Sequence, residues 1–149
     1  MTSWICKKFN DLTLLELYAI LQLRNEVFVV EQNCPYNDCD NKDLKAWHLM
    51  GMEHEKLLAY SRLIPPGISY RESSIGRVVN SPSARGKGLG KELMIESIQR
   101  IKLLFHTESI RIGAQLYLLD FYNGLGFVRD SEIYLEDNIP HIEMLINPK

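Results

Sequence analysis

Apolar and polar positions divide the chain into short strands and helices with clear boundaries. Residues 5–8 predict a first strand. Thr13 and Glu16 then have the T-x-x-E form of a capping box, in which each side chain satisfies a free backbone N–H of a helix start. The box opens an apolar stripe at Leu14, Leu17, Tyr18, Leu21 and Phe28, which predicts a helix ending near Val29 with that stripe inward. Between 32 and 45 the chain is polar and rich in turn formers, including Asn33, Pro35, Asn37, Asp38, Asp40, Asn41 and Asp43. This reads as a loop long enough to be functional. Two apolar runs, 46–52 and 57–64, flank Glu53-His54-Glu55-Lys56 and predict a hairpin that Pro65-Pro66-Gly67 ends.

Ser74–Asn80 reads as a strand and a glycine-rich turn follows it. Leu89–Phe105 is the clearest amphipathic helix, with Leu93, Met94, Ile98, Ile101 and Phe105 opposite Lys91, Glu92, Gln99 and Lys102. Residues 110–114 are strand-like, and 116–125 predict a short helix for which Gly126 supplies the stop. A final hairpin is expected from 128–135 and 141–146 around Glu136-Asp137-Asn138. The order β-α-β-β-β-α-β-α-β-β describes an α/β chain (an α+β mixed sheet) with helices against the sheet.

Composition narrows the class. The chain has 149 residues, so one domain over 1–149 is the expectation, with a core that needs no disulfide or structural metal. Its 17 Lys+Arg and 19 Asp+Glu nearly cancel, which argues against nucleic acid or an anionic membrane as partner. Three cysteines, Cys6, Cys34 and Cys39, form no C-x-x-C pair and fit reduced thiols in the cytoplasm. The first residues bring Lys7 and Lys8 early and lack the apolar run of a signal peptide. No stretch reaches the roughly 18 apolar residues of a membrane span.

The loudest chemistry is Arg85-Gly86-Lys87-Gly88-Leu89-Gly90, set between a strand and the best helix. A helix start leaves backbone N–H groups free and carries partial positive charge, and glycines let an anion approach them. Phosphate is the natural guest, with Arg85, Lys87 and Lys91 adding charge; a plain turn with solvated lysines is the bland alternative. The spacing is wrong for a Walker A loop, because Gly86 is followed by Lys91 and Glu92 and not by the required Gly-Lys-Ser/Thr. It is wrong for a dinucleotide fingerprint, because the glycines run G-x-G-x-G and Ile110 stands where an acidic residue is needed.

The turn resembles the R/Q-x-x-G-x-G/A signature of the GNAT acetyltransferase superfamily, read at Arg85, Gly88 and Gly90. Gly113-Ala114-Gln115 followed by Phe121-Tyr122-Asn123-Gly124-Leu125-Gly126-Phe127 is similar to that superfamily's later strand and helix. The string from Arg24 to Asp38, R-N-E-V-F-V-V-E-Q-N-C-P-Y-N-D, together with Ile139-Pro140-His141, resembles the ElaA-like subgroup. One departure is Asn138, where that subgroup often has glycine; asparagine tolerates the left-handed conformation, so the turn is expected to survive.

The resemblance implies a GNAT-like acyl-CoA N-acyltransferase fold and direct transfer of acetyl from acetyl-CoA to a primary amine. It implies that the backbone of Val78, Val79 and Asn80 holds the pantetheine arm, an edge pairing with a peptide-like chain. The pyrophosphate would rest on the amides of Arg85, Gly86, Lys87, Gly88, Leu89, Gly90 and Lys91. Tyr122 matches the position that protonates the departing thiolate, and an N–H around Val79 would meet the oxyanion. The base that takes the amine's proton is open between Glu31 and His141, with Glu143, one strand step from His141, as a third candidate. Each has a structural alternative: a packing tyrosine, a helix-end carboxylate, a turn-stabilising imidazole.

Other features carry less. Cys34, Cys39 and His48 lack zinc-ligand spacing, and Asp38, Asp40 and Asp43 lack the glycine and final glutamate of a calcium loop, so no metal is expected. Those aspartates read as turn formers in water, or as an attraction for a cationic acceptor. Trp4 and Trp47 read as core or half-buried, and His54 and His106 as residues of polar connections. Two rivals to catalysis stay open: a regulatory module that binds acyl-CoA without turnover, and a phosphate turn serving another nucleotide. The acceptor is unidentified, and a homodimer is compatible with the chain.

Overall fold

The computed structural model describes residues 1–147. Strands β1 (Ser3–Lys8), β2 (Trp47–Glu53), β3 (Lys56–Ile64) and β4 (Ser74–Asn80) form an antiparallel sheet in that order. The β2–β3 hairpin closes through His54 and Glu55, both at positive φ (51° and 62°), the twist that suits a two-residue turn. A second antiparallel sheet centres on β8 (Ile139–Ile146), which pairs with β5 (Ile110–Gln115), β6 (Val128–Arg129) and β7 (Tyr134–Glu136). The predicted first arm of the final hairpin is thus two short strands, interrupted where the β8 N–H of Glu143 donates to the Ser131 hydroxyl at 2.8 Å instead of to a strand carbonyl. The hairpin turn itself forms at Asp137 and Asn138, with φ of 51° and 64°, so asparagine does serve the left-handed turn.

The two sheets join at a single parallel bridge, Ser73 to Ile110, reinforced by Arg111 N–H donating to Ser73 O at 2.9 Å. Beyond that bridge β4 has a ladder only with β3, and its other edge is free where β5 diverges. The mixed sheet of the sequence reading is therefore two antiparallel sheets hinged at one parallel contact.

Helix α1 (Leu14–Arg24) begins with the expected box: Glu16 N–H donates to Thr13 Oγ1 at 3.1 Å, and Thr13 N–H donates to Glu16 Oε1 at 2.8 Å. Its inward face differs from the predicted stripe. Leu14 and Tyr18 are exposed (86% and 70%), whereas Ile20, Leu23, Arg24 and Val27 are buried. That set keeps the helical spacing but includes a charged residue, so a search for apolar periodicity selects the wrong face. The α-helix gives way after Arg24 to a π-helical segment, Asn25–Glu31, which takes the helical stretch two residues past Val29, with Gln32 N–H bonded to Val27 O at 3.1 Å.

Helix α1 covers one face of the first sheet, where Ile20, Leu23 and Val27 pack with Met50, Tyr60 and Val79. Helix α2 (Leu89–Phe105) covers the other, with Leu93, Met94 and Ile101 against Leu49, Leu63, Ile112 and Met144. Each such fully buried aliphatic side chain contributes about 1.5–3 kcal/mol. Helix α3 (Leu119–Asn123), entered through a 3₁₀ turn at Leu116–Leu118, is shorter than predicted and delivers Tyr122 into the α2 side of the core. Gly126, at φ +101°, ends that turn as expected.

The 32–45 loop is anchored, not solvated. Arg24, fully buried, donates to Asp43 Oδ1 at 2.7 Å and Asp38 Oδ2 at 2.8 Å. Arg62 holds Asp40 at 2.7 Å and Asp43 at 3.0 Å. Arg77 reaches Asp38 O at 3.0 Å through Nη2; its Nε is 2.8 Å from Asp38 Oδ1 as an ion pair outside hydrogen-bond geometry. His48 Nε2 lies 2.9 Å from Asp43 O, and its Nδ1 is 2.7 Å from the Tyr60 hydroxyl. Three guanidiniums thus meet three carboxylates, which corrects the reading of those aspartates as turn formers in water. Burial pushes the Asp40 and Asp43 carboxyls up, but Arg62 and Arg24 more than reverse this and hold both below the usual range.

Candidate active site

The divergence of β4 and β5 opens a cleft of about 650 Å³. One wall is 76–80 of β4, the other 112–115 of β5, and the π-helical segment closes one side through Val27, Phe28 and Glu31. The β4 wall is irregular. Arg62 pairs with Gly76 and Tyr60 with Val79, so Arg77 and Val78 together oppose Ser61. This is a β-bulge, and Arg77 sits in it at φ +49°, a strained value for a non-glycine residue. The network around Asp38 and Asp40 holds Arg77 there. The bulge therefore links the acidic loop to the shape of the cleft wall.

Val78, Val79, Asn80, Arg85, Glu31, Tyr122 and His141 all line this cleft, although they come from distant parts of the chain. Gly86, Lys87, Gly88, Leu89, Gly90 and Lys91 lie outside the lining, in the turn that follows Arg85 and the first residues of α2. Gly86 (φ +82°) and Gly88 (φ +74°) are left-handed with open space around the missing Cβ, so backbone conformation is what requires glycine there. Gly90 is different: a Cβ on it would stand 3.2 Å from the Asn80 side-chain amide. In the amide orientation that satisfies both groups, Asn80 Oδ1 accepts from Gly90 N–H at 3.2 Å and ties the end of β4 to the start of α2. The Leu89 side chain is core, while Lys87 and Lys91 are exposed.

Among the candidate bases, Glu31 and Glu143 are already engaged. Arg85 donates to both Glu31 oxygens, at 2.6 and 3.0 Å, and these hydrogen bonds hold the Glu31 carboxyl below the usual range. Glu143 accepts from Arg111 at 3.0 Å, and Arg111 also holds Glu72 and Asp130. His141 is buried, and its Nδ1 is 2.7 Å from Ile139 O. A carbonyl only accepts, so Nδ1 carries a proton, and in the neutral ring Nε2 is the nitrogen that presents a lone pair. Tyr134 stacks on the ring, with centroids 5.9 Å apart, and Glu136 Oε2 lies 3.5 Å from Nε2.

Tyr122 is buried between Phe121 and Phe127, in edge contact with each ring. Burial pushes its phenol up to about 12, so it keeps its proton at neutral pH. The bulge at Arg77 and the carboxylate of Glu136 escape sequence reading. The first is a matter of register alone, and Glu136 looks like any polar residue before a turn. Among the described residues no three His, Cys, Asp or Glu side chains cluster as a metal site would, and no helix is long and apolar enough to cross a membrane.

A strand edge freed by divergence, a glycine-rich helix start beside it and a buried tyrosine opposite are together the fold of acyl-CoA N-acyltransferases. The chain belongs to the GNAT acetyltransferase family: the acetyltransferase (GNAT) domain model matches residues 26–147. Protein ElaA of Escherichia coli is 39% identical over 146 residues, covering 97% of this chain and 95% of that protein. The crystal structure of E. coli ElaA superposes with a TM-score of 0.92 over 99% of this chain and all of its own, at 38% identity. An acyl-CoA N-acyltransferase from Pseudomonas aeruginosa superposes at 0.95 with 48% identity, again over 99% of this chain and 100% of that one.

Proposed function

We propose that the protein is an N-acetyltransferase that passes acetyl from acetyl-CoA directly to a primary amine. The observation that carries this reading is the convergence on one cleft of a free β4 edge, a buried protonated tyrosine and an imidazole with an open lone pair. The backbone of Val78, Val79 and Asn80 receives the pantetheine amides, as an extended chain pairs with an exposed strand edge. The backbone N–H groups of the Arg85–Lys91 turn, apart from those of Arg85 and Gly90 that bond Pro82 O and Asn80 Oδ1, receive the pyrophosphate with the Lys87 and Lys91 side chains beside them. Arg85 sits at the junction of the two.

Proton bookkeeping assigns the side chains. His141 Nε2 takes one proton from the incoming ammonium, which frees the lone pair that forms the C–N bond with the thioester carbonyl carbon. An N–H on the free edge near Val79 stabilises the oxyanion. As the C–S bond breaks, Tyr122 gives its proton to the thiolate and regains one from the nitrogen. The products are an amide, the CoA thiol and one proton on His141. Glu31, bound to Arg85, serves the donor site and leaves the base to His141. The three free cysteines suit a reducing cytoplasm.

The test is release of CoA thiol from acetyl-CoA over a panel of amines, for the wild type and Tyr122→Phe. Amine-dependent release that falls in the variant is expected. Thermal stabilisation by acetyl-CoA without turnover of any amine would make the protein a binding module instead. Stabilisation by ATP or NAD but not by acetyl-CoA would overturn the reading altogether.

A further inference from the structure

The charges on the cleft wall do not cancel, and the remainder lies at one end. Arg85 and Glu31 neutralise each other, and Arg77 is countered by Asp38 and Asp40. Glu136 and Asp137, at the tip of the β7–β8 hairpin, also line the cleft. Among the described residues Asp137 has neither a hydrogen bond nor an ion pair, and the only partner of Glu136 is His141, which carries charge only when protonated. The side chain of His141 is 8% exposed, and its Nε2 faces this tip with no hydrogen bond. A largely buried imidazole whose Nε2 makes no hydrogen bond, 3.5 Å from one exposed carboxylate with a second beside it, is an arrangement that a cation in the cleft would complete.

We propose that the β7–β8 hairpin tip is the acceptor's ammonium site. Its ligand is an aliphatic primary amine with no carboxylate near the reacting nitrogen, and a diamine suits it best. This inference rests on the acetyltransferase reading and assigns the acceptor half of the same cleft. Glu136 draws in the ammonium and, once the proton has passed to His141 Nε2, lies 3.5 Å from the imidazolium and stabilises it. Glu136 is a positioning residue in that step. Asp137 favours a second positive charge on the acceptor and opposes a negative one. The cleft is then polarised, with Lys87 and Lys91 near the phosphate end and two carboxylates at the amine end, matching an anionic donor and a cationic acceptor.

Three amines built on the same four-carbon chain test it: putrescine, butylamine and γ-aminobutyrate. The expected order of kcat/KM is putrescine, then butylamine, then γ-aminobutyrate, with each step about tenfold, equivalent to ~1.4 kcal/mol. Asp137→Asn should shrink both steps. Glu136→Gln should raise KM for every amine and lower kcat, with partial rescue in Glu136→Asp; a purely structural role would not be rescued in that way. Equal rates with putrescine and γ-aminobutyrate, or an unchanged ratio in both Glu136→Gln and Asp137→Asn, would overturn the inference. So would absence of turnover with all three while acetyl-CoA still stabilises the protein, an outcome that leaves the donor site standing. Failure of acetyl-CoA to stabilise the wild type strikes the acetyltransferase reading itself and takes this inference with it.

Discussion

Glu31 and Arg85 lie 54 positions apart in the chain and meet through two hydrogen bonds at the cleft. A carboxylate held this way is a weak base, and its value is in orienting the guanidinium. Glu31→Gln is therefore expected to raise KM for acetyl-CoA several-fold and leave kcat nearly unchanged, read by steady-state kinetics. A collapse of kcat at constant KM would make Glu31 the base. Tyr122→Phe should show the opposite split. A general acid typically contributes 10²–10⁴-fold, and a thiol of pKa near ~8.5 needs help at the low end, so a fall in kcat of about 10²-fold is expected. Both residues were legible as candidates, because motif strings frame them. Their roles were not, since a role depends on the partner that folding brings.

At the scale of elements, helix starts carry the local design. The Thr13–Glu16 box is completed by Lys7, whose ammonium lies 3.0 Å from Glu16 and ties α1 to β1. Thr13→Ala should cost about 1 kcal/mol, measured by urea denaturation, with acetyl-CoA affinity unchanged. Gly88→Ala should cost a similar ~1–2 kcal/mol for its left-handed backbone, but here the anion site suffers as well, so KM for acetyl-CoA should rise. A Gly88→Ala variant that is less stable yet binds acetyl-CoA normally would remove the turn from the donor site. Helix α2 was readable to the residue because its period and its boundary signal agree, and β4 because a glycine-rich turn follows it. The inward face of α1 was not, because buried Arg24 interrupts the apolar count.

Across the whole molecule, one buried ionic network joins α1, β3, β4 and the 32–45 loop. Removing Arg24 takes one of two arginine partners from both Asp38 and Asp43 and leaves those carboxylates, largely out of water, to Arg77 and Arg62 alone. Arg24→Met is thus expected to cost about 3–5 kcal/mol, a fall in Tm on the order of 10 °C for a chain of this length. The network also sets an acid limit. Asp40 and Asp43 have folded values below the ordinary aspartate range, so their contribution is complete above it and is lost as pH falls through and below ~4. Burial lowers His48 from its usual 6.5, which acts in the same direction and begins at higher pH, because the folded state disfavours its charged form. Thermal melts from pH 7 to pH 3 should show Tm falling throughout this range, more shallowly in Arg24→Met; parallel curves would detach the network from acid stability.

The amino-acid order by itself determined the succession of strands and helices, the capping box, the glycine turn and the family. Each is written in neighbouring residues, where periodicity, capping and backbone freedom act locally. Only the tertiary structure decided which carboxylates are free. Glu31, Glu143, Asp38, Asp40 and Asp43 found arginines, whereas Glu136 and Asp137 were left facing the cleft. Ion pairing falls off within a few ångströms and takes no account of sequence separation, so the division between structural and available charge exists only once the chain has folded.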